Sequence, residues 1–247
     1  MARILMIVEG ARTDVRLMKK LIAQYDICGN DHDIVSYNAN IYSLYNQMFR
    51  DMDPYEADLM QVLKEHEKDK DRKRLFDRKY SDVLLIFDLD PQDKQYSASK
   101  IQTMMNYFDE SSDHGKLYIN YPMVESFYHM KSIPDKDYDS YTASIDELRD
   151  KRYKDRVRME SRGHDYSKFA VDKNECDIVI RQNYRKACII CGDDPTDKGM
   201  PASFERGDQL LKKQTEMLDR EDRLFVLCTC VFYILDYNPG LVHWNLQ

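Results

Sequence analysis

No stretch of this 247-residue chain is apolar for long enough to cross a bilayer. Its most apolar segment, LFVLCTCVFYIL (224–235), runs for 12 residues, against the roughly 20 that a spanning helix needs. No signal-peptide pattern is present, because the first apolar run is broken by Glu9. A cytosolic protein with no membrane attachment is therefore expected. A net positive charge is lacking too. The net charge is −7 and the pI about 5.4, which speaks against a dedicated nucleic-acid binder but not against an enzyme that touches one locally. Six cysteines stand at 28, 176, 188, 191, 228 and 230. The C-x-x-C at Cys188 and Cys191 and the C-x-C at Cys228 and Cys230 lie in apolar runs without the Gly-rich turns that bring thiolates onto zinc. They read as buried, reduced cysteines acting as small hydrophobes. There is no internal repeat and no low-complexity segment. Apolar residues make up 43% of the chain and charged ones 33%, so a core can form despite a mean hydropathy of −0.69. The length allows one ordinary domain with an extension, or two small ones.

What is present is a pattern of acids at the ends of apolar runs. ILMIVEG (4–10) closes on Glu9, and VLLIFDLD (83–90) closes on Asp88 and Asp90. Each reads as a buried strand reaching a rim. In an open parallel sheet, the carboxyl ends of neighbouring strands face one crevice. Three carboxylates gathered there repel one another unless a cation joins them, and hard oxygen donors suit Mg2+ or Mn2+.

Strand and helix patterns alternate through the first 125 residues. A helix is expected after ILMIVEG, with Thr13 as its N-cap, and HDIVSYNA (32–39) reads as a strand. Further helices are expected from Ile41 to Phe49, from Pro54 onward, and over SASKIQTMMNYFDES (97–111). KLYINYP (116–122) is the fourth strand; Pro122 ends it, and MVESFYHM begins a helix. Right-handed β-α-β crossovers and a mainly parallel sheet follow. Beyond residue 125 the chain carries helix signals at 142–160, 174–190, 203–218 and 220–236 and no strand. Lys198 falls in a polar turn, DDPTDKG (193–199). The expected organisation is an α/β domain over 1–125, with a Rossmann-like parallel sheet, and a helical subdomain over 126–247.

A V-E-G ending the first strand and a D-x-D ending a later one resembles the toprim fold, the metal-binding domain of topoisomerases, bacterial primases and OLD-type defence nucleases. The matching residues are Glu9, Gly10, Asp88 and Asp90. NYPMVESF (120–127) is similar to the Asn-x-Pro-x-x-Glu-x-Phe segment of small toprim effectors in bacterial phage-defence loci, including the RloB-like group. Asn120, Pro122, Glu125 and Phe127 match it, and Glu125 joins the acids as a fourth candidate ligand. The resemblance implies a toprim nuclease in which Asp88, Asp90 and Glu125 hold Mg2+ or Mn2+. Glu9 would orient or deprotonate the attacking water and share in holding the metal. It also implies an RNA substrate, with tRNA a candidate, a role in antiviral defence, and an ABC-type ATPase as partner. The alternative it leaves open is a non-catalytic toprim subunit that regulates or docks on such an ATPase. Two other families use similar acids. In haloacid-dehalogenase-like phosphatases the D-x-D lies on the first strand and is followed by x-Thr or x-Val, where this chain has Gln92. In receiver domains an acidic pair stands where this chain has Glu9-Gly10.

The segment 149–169 holds eight Lys/Arg against four Asp/Glu, with Tyr153, Tyr166 and Phe169 interleaved. Arg152, Lys154, Arg156, Arg158, Arg162 and Lys168 could track a phosphate backbone while the aromatics stack on bases. The same pattern suits a solvated helix face with i,i+4 ion pairs. An acidic nuclease with one basic segment has little means of choosing its own substrate, so the helical half is expected to dock a partner or a second copy in a homo-oligomer.

Overall fold

The structure, a computed structural model, describes residues 3–27, 29, 31–50, 57–194 and 206–244; Cys28, Pro54 and Lys198 lie outside these. The chain divides into two compact units, residues 1–88 with 94–118, and residues 89–93 with 119–247.

The first unit is α/β. Strands β1 (Ile4–Val8), β2 (His32–Ser36), β3 (Asp82–Asp88), β4 (Asp109–Glu110) and β5 (Gly115–Asn120) form a sheet in the order β2-β1-β3-β5-β4; the last two residues of β5 belong to the second unit. β1 runs parallel to both neighbours, with Ile4 opposite His32 on one side and Asp82 on the other. Every residue of β1 is buried, as expected of a central strand covered on both faces. Helices α1 (Thr13–Tyr25), α2 (Ile41–Met48), α3 (Leu59–His66), α4 (Lys70–Lys73) and α5 (Ala98–Tyr107) make the connections. α1 buries Leu17, Met18, Leu21 and Ile22, one face at helical spacing. Side-chain oxygens of Asn40 and Asp58 cap α2 and α3.

Two expectations in this unit are corrected. Thr13 is the first residue of α1 rather than its cap; Arg12 takes the cap position and its side chain makes no capping bond. The helix read over 97–111 stops at Tyr107, because Asp109 and Glu110 pair antiparallel with Lys116 and Gly115. Gly115 makes that hairpin possible. Its φ is +108°, and a Cβ there would lie 2.8 Å from Leu85 Cδ1.

The second unit contains α6 (Ile145–Arg149), α7 (Arg152–Glu160), α8 (Lys173–Cys191), α9 (Gly207–Glu221) and α10 (Tyr233–Tyr237), and it also has strands. β6 (Thr142–Ser144) pairs antiparallel with β7 (Arg223–Phe225), where no strand was expected. The 142–160 stretch is thus a strand and two helices, with a Ser144/Glu147 capping box opening α6. The 220–236 stretch is a strand, a 3-10 turn and one short helix. Its apolar residues are contiguous rather than periodic, and its backbone is met by β6, by the backbone of Tyr121 and Tyr141, and by side chains. Gln214 Oε1 accepts from Phe225 N–H (2.9 Å), Asn183 Oδ1 from Cys228 N–H (2.8 Å) and Asn120 Oδ1 from Cys230 N–H (3.2 Å). MVESFYHM likewise forms a 3-10 turn, Val124–Tyr128, instead of a helix. Cys176, Cys188, Cys191, Cys228 and Cys230 are buried free thiols. Among the described residues no helix is long and apolar enough to cross a membrane.

Candidate metal centre

In the first unit, the end of β1 delivers Glu9 between the extensions of its two neighbours. Glu9 N–H donates to Ile86 O (3.1 Å), and its carbonyl accepts from Asn38 N–H (3.0 Å). With its backbone held on both sides, its carboxylate turns to the end of β3, where Oε2 accepts the Asp88 N–H at 3.2 Å. Asp88 is the last residue of β3 and only 7% exposed. Sequence reasoning passed over a further acid here. Asp14, buried in the first turn of α1, packs so close to the chain that a Cβ on Gly10 would sit 2.6 Å from its Oδ2. An acid in a first helical turn ordinarily complements the helix dipole, which hides any other role. A cavity of about 310 Å3 opens in the same unit, lined in part by Ser36, Tyr37 and Asn38 at the end of β2 and by His66 and Lys68.

In the second unit, Asp90 sits in a turn with φ +45°, and its carbonyl accepts from Asp93 N–H at 2.9 Å. Gln92 Nε2 donates to Asp90 Oδ1 at 2.9 Å. Burial pushes the Asp90 carboxyl above its ordinary range; the Gln92 bond and the Lys154 charge oppose that, while Asp93 and Glu125 add to it. Glu125, in the 3-10 turn that follows Pro122, is 4% exposed. Its Oε1 lies 3.2 Å from Lys154 Nζ, and its Oε2 is buried with no hydrogen-bond partner. Gln92 Oε1 and Ser126 Oγ are buried without partners as well.

The basic segment is largely committed to neighbours. Arg156 donates to Glu147 Oε1 (2.6 Å) and Thr142 O (2.7 Å), and Arg162 pairs with Glu175. Arg152 pairs with Asp150 at 2.9 Å and Arg158 with Asp155 at 3.8 Å, all four exposed. Lys168 ends a 3-10 turn at the surface. Two of the three interleaved aromatics cannot stack on bases: Tyr153 and Phe169 are fully buried, packing being stronger than exposure for rings of that size. Tyr166 lies flat on Tyr128, with ring centroids 4.1 Å apart.

Two buried ionisable groups of the second unit gave no signal in the sequence. His129 is bracketed by the Tyr153 hydroxyl (3.2 Å) and Glu160 Oε2 (3.0 Å). Burial lowers its pKa to about 4 against the pull of Glu160, so at neutral pH the Glu160 contact is a hydrogen bond from a neutral ring. Lys186 is fully buried and donates to Tyr138 O (2.7 Å) and Tyr141 O (2.8 Å), with burial bringing its pKa down to about 7.

The donors at both acid pairs, Glu9 with Asp88 and Asp90 with Glu125, are hard oxygens of the kind Mg2+ and Mn2+ take. Their type fits such an ion, and so does the unmet Glu125 oxygen. Among the described residues, no three His, Cys, Asp or Glu side chains are gathered closely enough to hold a metal as they stand. Comparison with family models, with curated proteins and with solved structures finds no match to this chain.

Proposed function

We propose that this chain is a toprim-like, Mg2+- or Mn2+-dependent nuclease that hydrolyses phosphodiester bonds in RNA. The observation that supports it most is the buried carboxylate of Glu125, beside Asp90, with one oxygen unmet. A buried acid in that state is costly without a cation or donor. The toprim resemblance is what assigns Asp88, Asp90 and Glu125 to the metal. A bound divalent ion polarises a phosphate oxygen and lowers the pKa of water. Glu9, with its backbone fixed by β2 and β3 neighbours, orients the attacking water and takes its proton. The water oxygen bonds to phosphorus as the phosphorus–oxygen bond to the leaving sugar breaks.

The RNA preference, an antiviral role and an ABC-type ATPase partner rest on the toprim resemblance of the V-E-G, D-x-D and NYPMVESF segments; a cytoplasmic location rests on the sequence pattern alone, and homo-oligomerisation on the helical half as a docking surface. The test is cleavage of RNA and DNA by the purified chain with Mg2+, Mn2+ or EDTA. Metal-dependent cleavage of RNA, lost in Glu9→Ala and Asp88→Ala and kept in Cys188→Ala, is the expected result. Metal-independent cleavage would overturn the mechanism. No cleavage together with stable binding to an ATPase would favour the non-catalytic, docking subunit.

A further inference from the structure

Three carboxylates of the second unit are buried among the described residues: Glu125, Asp135 and Asp177. Two of them are fully met. Asp135 Oδ2 accepts from Lys131 N–H (2.7 Å) and the Tyr141 hydroxyl (3.0 Å), and Oδ1 accepts from Asp137 N–H (3.0 Å). Both oxygens of Asp177 take bonds from Lys173 (3.2 and 3.0 Å), and His243 N–H adds a third (3.2 Å). Glu125 is the exception, with Lys154 on one oxygen and nothing on the other. Asp90 lies near enough to Glu125 and to Asp93 for their charges to repel. A buried cluster with more negative than positive charge is stabilised by a second positive charge or by a doubly charged ion in place of the first.

Lys154 is built to leave. Its neighbours on α7, Tyr153 and Val157, anchor the helix in the core, while its own side chain is 52% exposed. An ammonium on a flexible four-carbon stem can turn into water at little cost. An arginine in the same place would be held by its planar fork; Arg156, with bonds to Glu147 and Thr142 O, shows that arrangement two residues further along the helix.

We propose that Lys154 is the exchangeable counter-ion of the Glu125–Asp90 cluster: it neutralises Glu125 until a divalent cation enters, and the cation displaces it. This rests on the metal assignment above. Lys154 therefore competes with the metal instead of contacting an RNA phosphate in the resting protein. After displacement its charge is released at the surface, where it becomes available to an anionic ligand.

The experiment is Mn2+ binding to the full chain at low ionic strength, followed by the spin-resonance signal of free Mn2+. Wild type, Lys154→Met and Lys154→Arg are compared, with Glu125→Gln as the ligand-deficient control. Lys154→Met should bind Mn2+ about 10- to 100-fold more tightly than wild type, the range carried by a charge-assisted hydrogen bond. Lys154→Arg should bind no more tightly than wild type, and Glu125→Gln should bind more weakly. In EDTA, Lys154→Met should melt below wild type and gain more from added Mn2+. If Lys154→Met does not fold, Lys154→Gln serves the same purpose. Wild-type binding with unchanged or weaker binding in the neutral variants overturns the exchange and leaves the metal assignment standing. No binding by any of the proteins overturns the metal assignment, and the exchange with it.

Discussion

In the first unit the backbone of β1 is met by β2 on one side and β3 on the other. In the second, the 225–230 backbone is met in part by side-chain amides of Gln214, Asn183 and Asn120. A ladder distributes its bonds over two strands, so a change of one side chain leaves the pairing intact. An amide bracket concentrates them in one residue, so a single substitution removes several. The two units should therefore respond very differently to mutations of similar size.

Asn183 tests this most severely. It is fully buried, and its Oδ1 accepts both the Tyr138 hydroxyl (2.6 Å) and Cys228 N–H (2.8 Å). Asn183→Leu keeps the volume and leaves both donors unpaired. At roughly 1–3 kcal/mol for each buried unsatisfied group, a loss of about 4 kcal/mol is expected. Ile7→Val in β1 should cost only about 1 kcal/mol. Urea unfolding of both variants measures the difference, and equal losses would break the comparison.

The second effect is one of pH. His129 has its pKa lowered from 6.5 to about 4 in the folded chain, so between those values the unfolded state binds the proton first. Stability from this residue is complete above about pH 6.5 and is lost as pH falls toward 4, to a total of about 3 kcal/mol. Unfolding followed from pH 7.5 to 4.5 should show that decline, and His129→Gln should flatten it. An unchanged slope in the variant would assign the decline to other groups.

In the first unit the largest expected effect of a small substitution is at Gly115. A methyl there meets both the positive φ and the Leu85 side chain, so Gly115→Ala should cost about 2 kcal/mol. If thermal melting shows no loss, the β4–β5 turn tolerates an L-residue and the account of that hairpin is wrong.

The contrast between the units also accounts for what the sequence could reveal. ILMIVEG and VLLIFDLD were legible because strands buried on both faces write themselves as continuous apolar runs, with acids where the run meets the rim. LFVLCTCVFYIL has the same appearance and was misread as part of a helix, because amides that hold its backbone lie far away in sequence, at 120 and 183. β6 and β7, at three residues each, are too short to carry a period. Among the acids, Glu9, Asp88, Asp90 and Glu125 stand out in the sequence by their position at strand ends or beside Pro122, whereas the buried Asp14 looks like an ordinary first-turn residue. Lys154 was placed correctly on a basic helix, but its pairing with Glu125 depends on tertiary structure that no local spacing encodes.

The smallest stability effects belong to Arg152 and Arg158, and for that reason they are the most useful for function. Both side chains are more than 60% exposed and pair with equally exposed aspartates, so Arg152→Ala and Arg158→Ala should each change stability by no more than about 0.5 kcal/mol. Any change in RNA affinity then reports contact with the nucleic acid rather than damage to the fold. If these arginines meet phosphates, each substitution should reduce the slope of log affinity against log salt by about one. Lys154→Met should reduce that slope only when Mn2+ is present, since only then is its ammonium released from Glu125. Equal slopes for Arg152→Ala, Arg158→Ala and wild type would leave α7 as a solvated, ion-paired helix face and move the RNA surface elsewhere.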